Sequence, residues 1–258
     1  MSADRLLDLL SARSGLVCTV GAGGKKTTLY RLLEAHGGRA ALTSTVFIPI
    51  FPKDFKAHVV REPVETLLAT VERACTKHRL VAYTQLTSKR DRYQGVPASK
   101  VEEIHERVGF DVTFVKADGA RTRLVKAPAN DEPQLPERAS TIIPVVSAKA
   151  LRRPLTERLA HRVEQIERIS GARSGEELQP EHVARLLASE HGLLKGVGQA
   201  RVIPVINMVD DPESTQLALE TADMALRLTD RFDRVVLACM RNADPVVEVV
   251  ERRLSPSP

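Results

Sequence analysis

Residues 20–28 read VGAGGKKTT, three glycines followed by two lysines and two threonines. Gly21, Gly23 and Gly24 let a backbone turn tightly and approach an anion closely. A helix that follows such a turn aims its free N–H groups and positive dipole end at phosphate oxygens. The segment Gly21, Ala22, Gly23, Gly24, Lys25, Lys26, Thr27, Thr28 is therefore a candidate nucleotide cradle. Two registers fit it. In the preferred one Lys26 reaches the outer phosphates and the Thr27 hydroxyl ligates Mg2+, which keeps Lys and Thr adjacent. In the other, Lys25 directly follows Gly24 and Lys26 takes the hydroxyl position. Asp118 stands just beyond the apolar run 112–115, where a carboxylate can hold Mg2+. Lys26 and Asp118 are thus the candidate catalytic pair, with ATP or GTP and Mg2+ as the expected cofactors. Asn207–Asp210 (NMVD) follows the apolar run 202–206. GTPases read guanine with Asn-Lys-x-Asp at such a place. Asn207 and Asp210 are accordingly candidates for the base, with a modest guanine preference because Met208 replaces the Lys.

These residues need elements to hold them. The run 16–20 (LVCTV) reads as a buried strand. Leu29, Leu32 and Leu33 then repeat at helical spacing, and Gly37 can cap that helix. Leucines 6, 7, 9 and 10 suggest a short amphipathic helix at the start. Further strands are expected at 40–45, 80–83, 112–115, 142–146, 202–206 and 235–238. Helices are expected from Pro63, and at 181–190, 215–228 and 245–252. Strands alternating with helices predict an α/β fold, a mostly parallel sheet flanked by helices in the manner of P-loop NTPases. The chain reads as one nucleotide-binding domain over 1–258. Residues 152–194, charged and without a convincing strand, read as a helical insert. Residues 118–137, rich in Pro, Asp and Ala, read as an ordered loop.

Composition narrows the function classes. The 258 residues carry a formal charge of +5 and only 3% aromatics. Without a dense Lys/Arg run or stacking aromatics, no nucleic acid partner is expected. Three scattered cysteines, Cys18, Cys75 and Cys239, form no CxxC pair and suit a reducing cytoplasm. No export signal or membrane span is read from the sequence. A homodimer is compatible with it.

The order of motifs resembles the YqeC-type family, accessory proteins of selenium-dependent molybdenum hydroxylases. The resemblance rests on VGAGGKKTTL (20–29), on ADGAR with LVKAPANDEPQLP (117–136), and on Pro154-Leu155 with His161-Arg162. GLLKGV (192–197) and NMVD complete it. The KAPANDEP stretch is the most specific, since no general nucleotide-binding fold requires it. The resemblance implies an NTP-binding, NTP-hydrolysing maturation factor whose partner is a molybdenum-type hydroxylase or its cofactor. It pairs Lys126 with Glu132 at the site and adds Arg121, His161 and Arg162 as substrate or loop residues. Four positions depart from the pattern. Lys25-Lys26 doubles a lysine, Lys116 stands where Glu is usual, Val46 where His is usual, and Met208 where Lys is usual. Without that Glu no acidic base stands beside the phosphate, so fast hydrolysis is not expected. A small-molecule kinase and a nucleotide-dependent switch protein compete with this reading.

Overall fold

The computed structural model describes residues 3–252. It opens with α1 (Ala3–Leu9), then β1 (Gly15–Gly21). On β1, Leu16, Cys18 and Val20 enter one apolar core and Val17 the other. That alternation means both faces of the strand are covered, as a parallel sheet requires. The glycines end β1 and release α2 (Lys25–Ala35), whose Leu29, Leu32 and Leu33 are buried against the sheet. His36, extended, ends α2, so Gly37 is not its cap.

After β2 (Ala40–Ser44) come the short β3 (Ile48–Pro49), β4 (His58–Arg61), α3 (Val64–Cys75) and β5 (Leu80–Thr84). Next are β6 (Arg92–Tyr93), α4 (Ala98–Val108), β7 (Val112–Lys116), β8 (Val125–Lys126) and β9 (Ala139–Ser147), closed by a 3-10 turn at Ala148–Ala150. The chain continues through β10 (Ala160–His161), α5 (Val163–Ser170), α6 (Pro180–Ala188), β11 (Arg201–Val202) and β12 (Val205–Asn207). It ends in α7 (Pro212–Leu228), β13 (Arg234–Ala238) and β14 (Val246–Glu251).

The main sheet runs β14-β13-β12-β9-β1-β7-β2-β5-β4, with β11 also on β9. Every pairing in it is parallel except β13 with β14. The fold is thus α/β with a mostly parallel, helix-flanked sheet, as the sequence leads one to expect. Register levels the carboxyl ends: Thr19 lies opposite Lys116, Gly21 opposite Val145, and Ser147 opposite Asn207. The loops leaving β1, β7, β9 and β12 therefore share one rim, where open α/β sheets bind ligands.

Several elements differ from expectation. The stretch 245–252, expected as a helix, instead holds the edge strand Val246–Glu251. The repeat VVEVVE suits either period, but its four valines are β-branched and β13 offers an unpaired edge. The expected strand 202–206 is two pieces, β11 and β12, separated at Ile203-Pro204. Proline has no N–H for the ladder there. The loop 118–137 holds β8, which pairs with β10 from the 152–194 segment. That segment supplies α5 and α6, whose Ile166, Val183, Leu186 and Leu187 join the core cluster of Leu16 and Cys18. Among the described residues no helix is long and apolar enough to cross a membrane.

Candidate functional site

The glycine loop is held from three sides. Gly21 N–H donates to Asp118 Oδ2 at 2.9 Å, Ala22 N–H to the Val145 carbonyl at 2.8 Å, and Gly23 N–H to the Arg123 carbonyl at 3.2 Å. Gly24 precedes α2 with φ 128° and gives it no side-chain cap. The N–H groups of Lys25, Lys26 and Thr27 thus open a helix without intrahelical acceptors. A Cβ on Gly24 would meet Asn207 Nδ2 at 2.0 Å, so only glycine fits this approach.

Below the loop lies a buried ion cluster. Lys25 Nζ stands 2.7 Å from Asp118 Oδ1 and also donates to the Gly21 carbonyl. Oδ1 receives no directed hydrogen bond, so this contact is ionic. Lys126 Nζ is 3.0 Å from Asp118 Oδ2, donates to the Gly119 carbonyl at 2.6 Å, and pairs with Glu132 Oε2. Arg162 Nη1 approaches the same Glu132 oxygen at 2.8 Å and the Ala127 carbonyl at 3.1 Å. Lys116, at the end of β7, is also buried and donates to the Phe47 carbonyl at 3.1 Å. Burial first, then the neighbouring Lys25, pulls the Lys116 ammonium down to about 7. Burial likewise lowers Lys25, against the pull of Asp118. Three cations, Lys25, Lys126 and Arg162, thus face two carboxylates, Asp118 and Glu132, with the partly charged Lys116 beside them. The cluster is short of negative charge, and a polyanion would supply it.

Mg2+ fits these residues poorly. The Lys25 ammonium stands where a cation on Asp118 Oδ1 would sit, and Oδ2 is shared by Gly21 and Lys126. Thr27 lines a different pocket, with Asn207, Met208 and Cys239. Among the described residues no group of three or more His, Cys, Asp or Glu converges for a metal.

On the other side of the loop, Asn207 is buried and structural. Its Nδ2 donates to the Gly23 carbonyl at 2.8 Å and its Oδ1 accepts from Met240 N–H at 3.0 Å. Asp210 is engaged twice, by the Cys239 thiol at 3.0 Å and by Lys149 Nζ at 2.5 Å. These two bonds, the thiol first, hold its carboxyl below the usual range. Met208 adopts φ 61°, and its sulfur accepts from Ser147 Oγ at 3.1 Å. Asp211, not Asp210, caps α7.

The family model described as YqeC protein matches residues 17–164, more than half of the chain. The chain belongs to the YqeC family. It is also 26% identical to a protein of Escherichia coli (strain K12), named there as uncharacterized protein YqeC, over 190 residues. That alignment covers 72% of this chain and 73% of the relative. The YqeC match contains the loop with Lys25, Asp118, Lys126, Glu132 and Arg162, the residues that the ion cluster draws together, and also His161.

Of the residues singled out in the sequence, Lys25, Asp118, Lys126, Glu132 and Arg162 meet in one network. Lys26 lies one position further along α2, half-buried, with burial lowering its ammonium and no ion pair among the described residues. Arg121 is exposed at φ 45° near enough to His161 to act on its charge. Thr28 is turned inward, its hydroxyl donating to the Gly24 carbonyl at 3.2 Å. Lys149 and Cys239, which occupy Asp210, carry no sequence signal for that role. Lys116, noted in the sequence only as a departure, is visible as a cluster member once β7 is known to end beside β1.

The cluster predicts an acid-labile fold. Burial, then the cations Arg162 and Lys126, pushes His161 down to about 4. Burial alone would raise Glu132, but Lys126 and then Arg162 bring it down to about 2. Below the unfolded value of 6.5 the unfolded chain takes up a proton at His161 that the folded chain refuses, until about 4. Between the unfolded value of 4.5 and about 2 the same holds for Glu132, whose depressed value stabilises the fold only above that window. The urea midpoint should therefore fall from about pH 7 to about pH 2, and His161→Gln should flatten the part of that decline above about pH 4. A flat midpoint in both proteins would show that neither group is coupled to the cluster.

Proposed function

We propose that this protein binds a nucleoside triphosphate, ATP or GTP, at the Gly21–Thr28 loop, and acts as an accessory factor in enzyme cofactor maturation. The observation that carries the binding is the surplus of buried cations beneath an uncapped helix start. Phosphate oxygens at the first turn of α2 would take N–H bonds there and draw Lys25 away from Asp118. The maturation role, directed at a selenium- or molybdenum-type hydroxylase or its cofactor, is supported by YqeC membership alone. Any Mg2+ would arrive with the phosphates and is assigned no residue of this chain.

Binding dominates over hydrolysis in this reading. Both carboxylates of the cluster are committed to cations, leaving none to take a proton from water. This favours a nucleotide-dependent switch over a fast NTPase.

Base preference should be modest. Asp210 can meet the two N–H donors of guanine only by releasing Lys149 and the Cys239 thiol. The pocket beside it is about 80 Å³, so a base must also open it. We expect GTP to exceed ATP by about tenfold at most, roughly 1.4 kcal/mol, with the difference lost in Asp210→Ala. Competition of both nucleotides against one labelled analogue measures this. A hundredfold preference, or one that survives Asp210→Ala, would place base recognition elsewhere.

A further inference from the structure

At the opposite end of the sheet lies a second cleft, about 930 Å³, where β1, β9, β11 and β13 begin. β1 alone is seven residues long, so this cleft is roughly 20 Å from the glycine loop. Its size is that of a small-molecule site. Four arginines line it, Arg13, Arg201, Arg231 and Arg234, with Asp8, Asp230 and Asp233.

The charges do not cancel locally. Asp8 is bound by Arg13, and Asp230 faces Arg252 at 3.2 Å. Among the described residues the Arg201 side chain reaches the Ser11 hydroxyl, at 3.0 Å, and the Arg231 side chain the Gly198 and Ala200 carbonyls, at 2.8 and 3.2 Å. Arg234 is the decisive group. It starts β13, lines the cleft, and its Nε is buried with no hydrogen-bond partner. A buried guanidinium N–H without an acceptor is rare in folded proteins. Among the described residues three of these guanidinium groups, those of Arg201, Arg231 and Arg234, thus form no ion pair with a carboxylate, against the single carboxylate of Asp233. The hydroxyls of Ser140 and Thr141 stand in the same wall.

We propose that this cleft is a second ligand site, separate from the glycine loop, which takes a small multivalent oxyanion. Arg234 and Arg201 grip the anion with their planar forks, which match two oxygens of a phosphate or carboxylate group. The ligand is either a phosphate ester or a polycarboxylate, and pyrophosphate and citrate serve as probes of the two.

The test uses full-length Lys25→Ala protein, in which the loop lacks its buried lysine, and follows the arginine Nε–H resonances by NMR during titration. The result expected is a saturable shift of the Arg234 Nε–H signal by one probe or both. Arg201→Gln and Arg234→Gln should each weaken binding by about tenfold, and Arg234→Lys, which keeps charge but loses the fork, should fall between. A shift by citrate alone identifies a polycarboxylate, and by pyrophosphate alone a phosphate ester. Should Arg234→Gln fail to fold, the exposed Arg201→Gln carries the comparison. Absence of any shift at millimolar probe, or equal affinity in the Lys25→Ala protein with and without the Gln substitutions, overturns the proposal. Either result leaves nucleotide binding at the loop untouched, because the loop is altered in every sample.

Discussion

Asp118→Asn should cost the fold about 3–5 kcal/mol of unfolding free energy, the usual loss when one partner of a buried ion pair is removed. Asp118 is 1% exposed and faces two ammonium groups, Lys25 at 2.7 Å and Lys126 at 3.0 Å. Asparagine keeps the shape and removes the charge. Lys126 retains Glu132, but Lys25 retains only the Gly21 carbonyl. The variant should also regain stability as pH rises, because Lys25, already lowered by burial, can then shed its proton. Pairing Asp118→Asn with Lys25→Met should recover part of the loss, since no charge then stands unpaired at that position. Urea unfolding of the four proteins measures this. A loss below about 1 kcal/mol would mean that both lysines reach water in solution, and the buried cluster would not exist as described.

Much of the fold is legible in the sequence because parallel strands buried on both faces read as continuous apolar runs. The runs around Val17, Leu42, Ala82, Phe114 and Val236 are all strands. What escapes is decided by tertiary partners. Val246–Glu251 becomes a strand because β13 needs an edge partner. Helix α4 shows a sound repeat in Val101, Ile104 and Val108, yet its charged exposed positions mask it. The loop, Asp118 and the Lys126–Glu132 pair are visible as motifs. Their convergence is not, because Gly21 and Asp118 lie 97 residues apart and meet only through the β1–β7 register. Choosing between Lys25 and Lys26 needs the helix start. Spacing to Thr27 favours Lys26, whereas the structure turns Lys25 toward the Gly21 carbonyl and Asp118.

That choice sets the second large effect. In the proposed reading Lys25 is the phosphate lysine, since it sits directly behind the glycines and its present partners are ones an incoming phosphate can replace. Lys25→Ala should weaken triphosphate binding by roughly 1.5–3 kcal/mol, about ten- to a hundredfold, the worth of a charge-assisted bond. Its fold should survive, because Asp118 keeps Lys126 and the Gly21 N–H. Lys26→Ala should change affinity by no more than about threefold, as expected of a partly exposed charge beside the site. The most direct measurement is calorimetric titration of ATP and GTP, with adenosine and guanosine as controls, into wild type, Lys25→Ala and Lys26→Ala. The account predicts saturable binding of a triphosphate but not of its nucleoside, lost with Lys25 and kept without Lys26. Failure of wild type to bind either triphosphate, or equal binding of nucleoside and triphosphate, would contradict a phosphate cradle at this loop.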